Sequence, residues 1–274
     1  TIPAISQFTS DVLKRYHPVT GHPYFILARR NVTPPTGYFL TEYRPGASGL
    51  GMVNTVTIAD SLGQVSGQRP TLLEQPDGSI LVIGKQFYRK MTYDPATGFT
   101  EVWMRPFNMA ATAVLQNNNR LIAADAAGKI IALDENGDLL WTQNHGFNIR
   151  SLASTPNGLV ACGQNTNNSA VVLRMDNNGT ELWREETSDK DYFDVLSNPD
   201  FTFTATGLSA EGNIVLTLLA SNGSVLWQQT YTKGTGLHLL PGSDGGYVVL
   251  ARAATPGTIH VLKTDGFGQT DVPQ

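Results

Sequence analysis

The sequence contains only one cysteine, Cys162, among its 274 residues. A single cysteine excludes an internal disulfide framework and a zinc site built from several cysteines. Charged residues make up 15% of the chain, which is low beside the roughly 25% of typical globular proteins. No apolar run reaches the roughly 18 residues of a transmembrane helix, and no basic start precedes a short apolar segment. We therefore expect neither a membrane span nor a signal peptide in these residues.

The charges present are unevenly distributed along the chain. Residues 1–105 contain 10 basic and 7 acidic residues, whereas residues 106–274 contain 9 basic and 16 acidic residues. We interpret this difference as ordinary surface scatter, the alternative being a lateral dipole. The net charge of −4 argues against a general nucleic-acid-binding surface.

Recognisable catalytic and phosphate-binding motifs are also missing. The sequence has no Gly-x-Ser-x-Gly nucleophile turn and no phosphate-binding loop, and its five histidines show no metal-binding spacing. The segment Asp134–Asp138 is rich in carboxylates, but Leu139 stands where a calcium-binding EF-hand loop requires glycine. We interpret it as a turn, and Cys162 as a small buried residue of an apolar strand. We expect no metal and no cofactor.

A repeated turn followed by tryptophan is the strongest positive feature. Each of the four tryptophans follows a turn that ends in glycine, and two weaker copies of the turn lack the tryptophan. Counting the weaker copies, consecutive turn glycines are separated by 35, 39, 42, 44 and 45 residues. The turn glycines are Gly63, Gly98, Gly137, Gly179, Gly223 and Gly268.

Each repeat predicts a hairpin with two further strands before it, which gives four short strands in about 40 residues. Such units are the blades of a β-propeller. We predict one all-β domain over residues 1–274 with six blades, or seven if Gly21 marks another. The segment 8–16 is either a helix or a strand, and residues 1–20 are a candidate for closing the ring. Innermost strands are expected near 109–115, 148–153, 193–197 and 236–240.

Two segments resemble a known family. Residues Gly128–Trp141 read Gly-Lys-Ile-Ile-Ala-Leu-Asp-Glu-Asn-Gly-Asp-Leu-Leu-Trp, which is similar to the repeat of the bacterial pyrroloquinoline-quinone-like propellers. Residues Asp244–Ala251 with Val261–Asp265 resemble a related repeat of bacterial extracellular and lipoprotein propellers. The resemblance extends over residues 76–268. It implies a superfamily whose non-enzymatic members are protein-binding scaffolds, for example in outer-membrane protein assembly.

The resemblance and the missing catalytic motifs together favour a non-enzymatic binding scaffold outside the cytoplasm. We expect a periplasmic, cell-surface or secreted monomer that binds a protein or carbohydrate partner and no nucleic acid. The alternative is a carbohydrate-active hydrolase or lyase, with Glu42, Glu74 and Asp194 as candidate carboxylates. A quinone-dependent dehydrogenase is a third hypothesis, but such members carry an adjacent cysteine pair and this chain has one cysteine.

Longer and dissimilar loops predict the binding face. Aromatic, arginine and histidine side chains cluster in these loops, and binding surfaces favour such side chains. The alternative is that the rings pack between blades. The predicted ligand-binding residues are Tyr43, Arg44, Tyr88, Arg105, Phe107, His145 and Tyr231.

Overall fold

The computed structural model describes residues 9–17, 19–31, 37–46, 49–59, 71–84, 87–106, 109–188 and 190–270. These residues form 22 β-strands and no α-helix. None of the described segments is a helix able to cross a membrane. The chain divides into two compact units, Thr1–Ala110 and Ala111–Gln274.

The first unit contains two antiparallel four-stranded sheets. The first sheet consists of β1 Thr9–Tyr16, β2 Pro23–Asn31, β3 Gly37–Gly46 and β4 Gly49–Ala59. The second sheet consists of β5 Thr71–Glu74, β6 Ile80–Ile83, β7 Phe87–Asp94 and β8 Gly98–Pro106.

The second unit contains three antiparallel sheets, of which one has six strands. The first is β9 Ala111–Asn117, β10 Arg120–Asp125, β11 Lys129–Leu133 and β12 Leu139–Asn144. The next is β13 Asn148–Thr155, β14 Gly158–Gln164, β15 Ala170–Met175 and β16 Glu181–Thr187. The six-stranded sheet is β17 Lys190–Ser197, β18 Phe203–Ser209, β19 Asn213–Leu219, β20 Val225–Pro241, β21 Tyr247–Ala253 and β22 Ile259–Thr264.

The all-β prediction with four-stranded propeller blades is confirmed, and the innermost strands lie where they are expected, within a few residues. The structure has five sheets rather than six because β20 belongs to two consecutive blades. Its first part, up to Lys233, pairs with β19, and its second part, from Gly234, pairs with β21. The fifth and sixth predicted blades are therefore joined by one continuous strand.

The first repeat is placed differently from the sequence prediction. Residues 9–16 are the strand β1 and not a helix, and Gly21 lies in the turn between β1 and β2. The turn between the third and fourth strands is at Gly46–Gly49, since β3 and β4 pair on either side of it. The sequence prediction that places this turn at Gly63 is wrong, because β4 already ends at Ala59. Residues 60–70 themselves lie outside the described segments.

The apolar core lies between neighbouring sheets within each unit. The second and third strands supply most of it, since all side chains of β6 are buried and all those of β14 except the last. Cys162 on β14 is fully buried, and burial raises the pKa of its thiol well above the ordinary value. This agrees with a packing role, because thiols react as thiolates.

Two tryptophans of the second unit connect their sheets to the turn of the following sheet. In the second unit, Trp141 Nε1 donates to the carbonyl oxygen of Asn177 at 3.1 Å, and Trp183 Nε1 to that of Ser221 at 2.8 Å. The two rings lie over the turn glycines Gly179 and Gly223. The recurring tryptophan is therefore a packing residue between sheets.

Candidate functional site

Each sheet has two ends that differ in their connections. We call the end that joins the first to the second strand and the third to the fourth the hairpin end. The other end joins the second strand to the third and leads on to the next sheet, and we call it the loop end. The sequence prediction assigns its binding residues to loop ends.

Arg44 does not follow this assignment. It lies near the end of β3 beside the Gly46–Gly49 turn, which is at the hairpin end. The reason is the different position of the first repeat. Its Nε donates to Glu42 Oε1 at 2.6 Å and its Nη2 to the Pro95 carbonyl oxygen at 3.1 Å. Arg44 also lines a cavity of about 570 Å³, together with His17, His22 and Tyr24.

The predicted tyrosines are mostly packing residues. Tyr43 and Tyr88 are buried, with 5% and 2% of their surface exposed. The partly buried Tyr231 donates its hydroxyl hydrogen to the Gly268 carbonyl oxygen. Burial raises the pKa of Tyr231, and Asp265 adds to this. Phe107 lies outside the described residues.

Arg105 is the predicted residue most available to a partner. It is exposed at the loop end of the second sheet, pairs in register with Tyr88, and its guanidinium lies 5.5 Å from the centre of the Trp103 ring. The Trp103 ring in turn meets Tyr88 edge-on, with ring centres 5.4 Å apart. Tyr88 and Trp103 thus support an exposed guanidinium by packing and a cation–π contact.

His145 follows β12 and its side chain is only 8% exposed. Desolvation lowers the pKa of His145 and the charge of Arg184 lowers it further, while Glu181 opposes them. Its Nε2 is buried with no hydrogen-bond partner in the described structure. Arg184 donates to the His145 carbonyl oxygen at 3.0 Å. The imidazole is therefore a neutral packing group at pH 7.

The structure brings only some of the predicted residues together. Tyr88 and Arg105 form one cluster, and Arg44 lies at the opposite type of sheet end within the same unit. His145 follows β12 and Tyr231 lies on β20, which belong to different sheets of the second unit. The binding role of the set stays a prediction.

The three candidate carboxylates have structural contacts. Glu42 is fully buried and accepts hydrogen bonds from Arg44 and Asn54. Glu74 forms an ion pair with Arg15 at 2.9 Å. Asp194 accepts from Ser151 Oγ at 2.6 Å and from the Leu239 N–H at 2.9 Å. Across the described segments, no group of three or more histidine, cysteine or acidic side chains is arranged to hold a metal ion.

The sequence prediction missed two adjoining cavities at the loop end of the second unit. One has a volume of about 360 Å³ and the other about 550 Å³, and both are lined by Leu208. Lys190 lines the first and Arg252 the second. The only signal in the sequence is that both cations stand at strand ends, which is too common a position to indicate a site.

Comparison with known proteins identifies the family. The family model described as outer membrane protein assembly factor BamB matches residues 56–192 and, in an overlapping match, residues 92–238. Because these matches together span more than half of the chain, the protein belongs to this family of pyrroloquinoline-quinone-like β-propellers.

A solved structure supports the same fold. The crystal structure of BamB from Moraxella catarrhalis aligns with 94% of this chain and 83% of its own, at a TM-score of 0.54 and 14% sequence identity. At this identity the similarity shows the β-propeller fold alone. No curated protein matches the sequence.

Proposed function

We propose that the protein is a non-enzymatic scaffold outside the cytoplasm that binds a protein partner during outer-membrane protein assembly. The observation that carries the proposal is the family match over residues 56–238, since the family is described as an outer membrane protein assembly factor. The structural contacts of Glu42, Glu74 and Asp194 are compatible with a role without catalysis.

We further propose Arg105 as a contact residue for that partner. An exposed guanidinium supported by aromatic rings is typical of the residues that contribute most to protein interfaces. Tyr88 and Trp103 hold it at the loop end of the second sheet, which reduces the conformational entropy lost on binding.

Site-specific photo-cross-linking in cells of the source organism tests both proposals. A photoreactive amino acid replaces Arg105 in one strain and Glu135 in a control strain, since Glu135 is exposed in a hairpin-end turn. We expect position 105 to give a cross-link to an outer-membrane assembly component, identified by mass spectrometry, and position 135 to give none. Cross-links only to cytoplasmic proteins, or equal products at both positions, would contradict the proposal.

A further inference from the structure

The two cavities share Leu208, and we call them together the cationic cleft. Their lining includes Lys190, Asp191, Leu208, Gly212, Gly234, Thr235 and Arg252, and Lys233 directly precedes Gly234. Lys190 begins β17, the turn with Gly212 joins β18 to β19, and Lys233 to Thr235 belong to the part of β20 that passes between two blades. The cleft therefore lies entirely within the second unit.

Bare backbone forms the middle of the cleft. The Gly234 N–H donates to the Gly212 carbonyl oxygen at 3.0 Å, which closes the gap between β20 and the preceding turn. A Cβ atom at Gly234 would lie 2.6 Å from the Arg252 carbonyl oxygen, so no side chain fits there. A Cβ atom at Gly212, by contrast, would meet nothing within 4 Å, so the cleft has open space beside this glycine for the main chain of an extended peptide.

Three cations border the cleft without a carboxylate partner. Lys190 Nζ donates to the neutral Gln228 Oε1 at 2.9 Å, and Lys233 Nζ donates to the Glu211 carbonyl oxygen. Arg252 is exposed. Among the described residues, none of these three cations forms an ion pair, in contrast to Arg150, Arg184 and Lys263.

Asp191 lines the first cavity, but Arg150 forms an ion pair with it at 2.6 Å. Glu211 is a further carboxylate, close enough to Lys233 and Lys190 to feel their charges. Its carboxylate accepts a hydrogen bond from Ser209 Oγ at 2.8 Å. This bond lowers the pKa of Glu211, and the charges of Lys233 and Lys190 contribute further. With Asp191 neutralised by Arg150, the Glu211 carboxylate stands against Lys190, Lys233 and Arg252, which leaves this described part of the border positive by two charges.

Two of the cations lie on neighbouring strands. Gly234 pairs with Ala253 and Thr235 with Arg252, and Lys233 directly precedes Gly234. The second unit as a whole is acidic, with nine lysines and arginines against sixteen aspartates and glutamates. A positive cleft in an acidic unit indicates a site for a negatively charged ligand.

From this geometry and charge we infer that the cationic cleft binds an acidic, extended segment of a partner protein. The open space beside Gly212 accommodates its main chain, and Lys190, Lys233 and Arg252 bind its carboxylates. The inference extends the proposed function, on which it rests for the partner being a protein, and its residues belong to the second unit, whereas Arg105 belongs to the first.

Binding of a synthetic peptide to the full chain tests the inference. The probe is a fluorescent peptide of about ten residues that alternates glutamate and serine, compared with one in which glutamine replaces glutamate. Fluorescence anisotropy measures the Kd of both peptides at low and high salt. We expect binding of the glutamate peptide, at least about tenfold weaker binding of the glutamine peptide, and loss of affinity as salt increases.

Paired variants locate the site. We expect Lys233→Gln with Arg252→Gln to weaken binding of the glutamate peptide about tenfold or more. The matched control is Lys129→Gln with Lys263→Gln, which removes the same charge elsewhere in the unit and should change the Kd less than about twofold. Circular dichroism confirms that both pairs fold. If the double variant at the cleft is unfolded, Lys190→Gln, which lies at the border, replaces it.

Four results would overturn the inference. These are no binding of the glutamate peptide, equal binding of the glutamine peptide, equal weakening by the control pair, and tighter cleft-dependent binding of a single-stranded oligonucleotide. The last result would indicate a general polyanion site. Loss of the cross-link at position 105 with peptide binding intact would contradict the proposed function and leave the cleft unaffected.

Discussion

At the scale of single residues, the turn glycines show why the repeat is so regular. Gly179 and Gly223 have φ angles of +75° and +88°, a region that residues with a Cβ atom adopt at a cost. A Cβ atom at Gly223 would also lie 2.7 Å from Trp183 Cε3. Two independent reasons, conformation and close approach of the ring, therefore require glycine at this position.

We expect Gly223→Ala to lower the free energy of unfolding by about 3 kcal/mol. The left-handed conformation accounts for about 1–2 kcal/mol of this, and overpacking against Trp183 accounts for the rest. Urea unfolding followed by tryptophan fluorescence measures it. Gly245→Ala is the control, since Gly245 has a similar φ of +81° and an open environment. A loss as large at Gly245 as at Gly223 would show that the ring contact contributes nothing.

The buried His145 predicts a pH dependence of stability. Desolvation lowers the pKa of His145 in the folded protein, so the unfolded chain binds its proton more tightly. The stability that neutral His145 contributes is present above the ordinary histidine pKa of about 6.5 and is lost as pH falls through the lowered folded pKa. We expect His145→Gln to reduce the change of the melting temperature with pH between about pH 7 and pH 5.

Thermal unfolding of the wild type and of His145→Gln over this range measures the effect. His238→Gln is the control, because the His238 side chain is 72% exposed. If the exposed control flattens the profile equally, the pH dependence does not come from burial of His145.

At the scale of strands, one carboxylate connects three innermost strands of the second unit. Asp194 on β17 accepts from Ser151 on β13 and from the Leu239 N–H on β20. A β-bulge next to each of these positions alters the strand register, which is how the side chain comes to face its two partners. Asp194 Oδ1 also accepts from the Val195 N–H at 2.9 Å, so removing the carboxylate would leave three donors without this acceptor.

We expect Asp194→Ala to lower the free energy of unfolding by about 2–4 kcal/mol, since two long-range hydrogen bonds and one local hydrogen bond to a charged group are lost. Asp194→Asn should cost about half as much, because its amide oxygen still accepts one bond. Asp138→Ala, at an exposed turn position, should change stability by less than about 0.5 kcal/mol. Chemical unfolding measures all three variants, and equal losses for Asp194→Ala and Asp138→Ala would contradict this role.

The predictability of the strands from sequence depended on how local their signals are. The turn at Asp134–Gly137 was predictable because Asp134 Oδ1 accepts from the N–H groups of Asn136 and Asp138, a bond pattern within five residues. The first repeat was misplaced because it has no tryptophan to fix its register. The contacts of Asp194 join residues more than 40 positions apart, which no local pattern reveals.

The candidate site was less predictable than the strands for the same reason. A tyrosine in a loop-end position reads the same in the sequence whether its ring is exposed or buried. Tyr88 is buried because Trp103 packs on it from the neighbouring strand. The cationic cleft depends on the path of β20 between two blades, and the sequence around Gly234 predicts no such path.

At the scale of the whole molecule, burial predicts an order of hydrogen exchange. The second strands β10, β14 and β18 have almost entirely buried side chains and partners on both sides. The fourth strands β12 and β16 are at sheet edges and mostly exposed or half-buried. Amide hydrogen exchange read by mass spectrometry should therefore be slowest in the former and fastest in the latter. Uniform rates across each sheet would contradict this expectation.

The continuous strand β20 has a consequence for how the chain can be cut and extended. Between β12 and β13 the chain passes through residues 145–147 outside any strand, so an insertion there interrupts no strand ladder. Between the fifth and sixth predicted blades, every residue from Val225 to Pro241 belongs to β20. An insertion at Lys233 or Gly234 would separate two ladders at once. The last two blades therefore have to be inherited, truncated or transplanted as a single module of six strands.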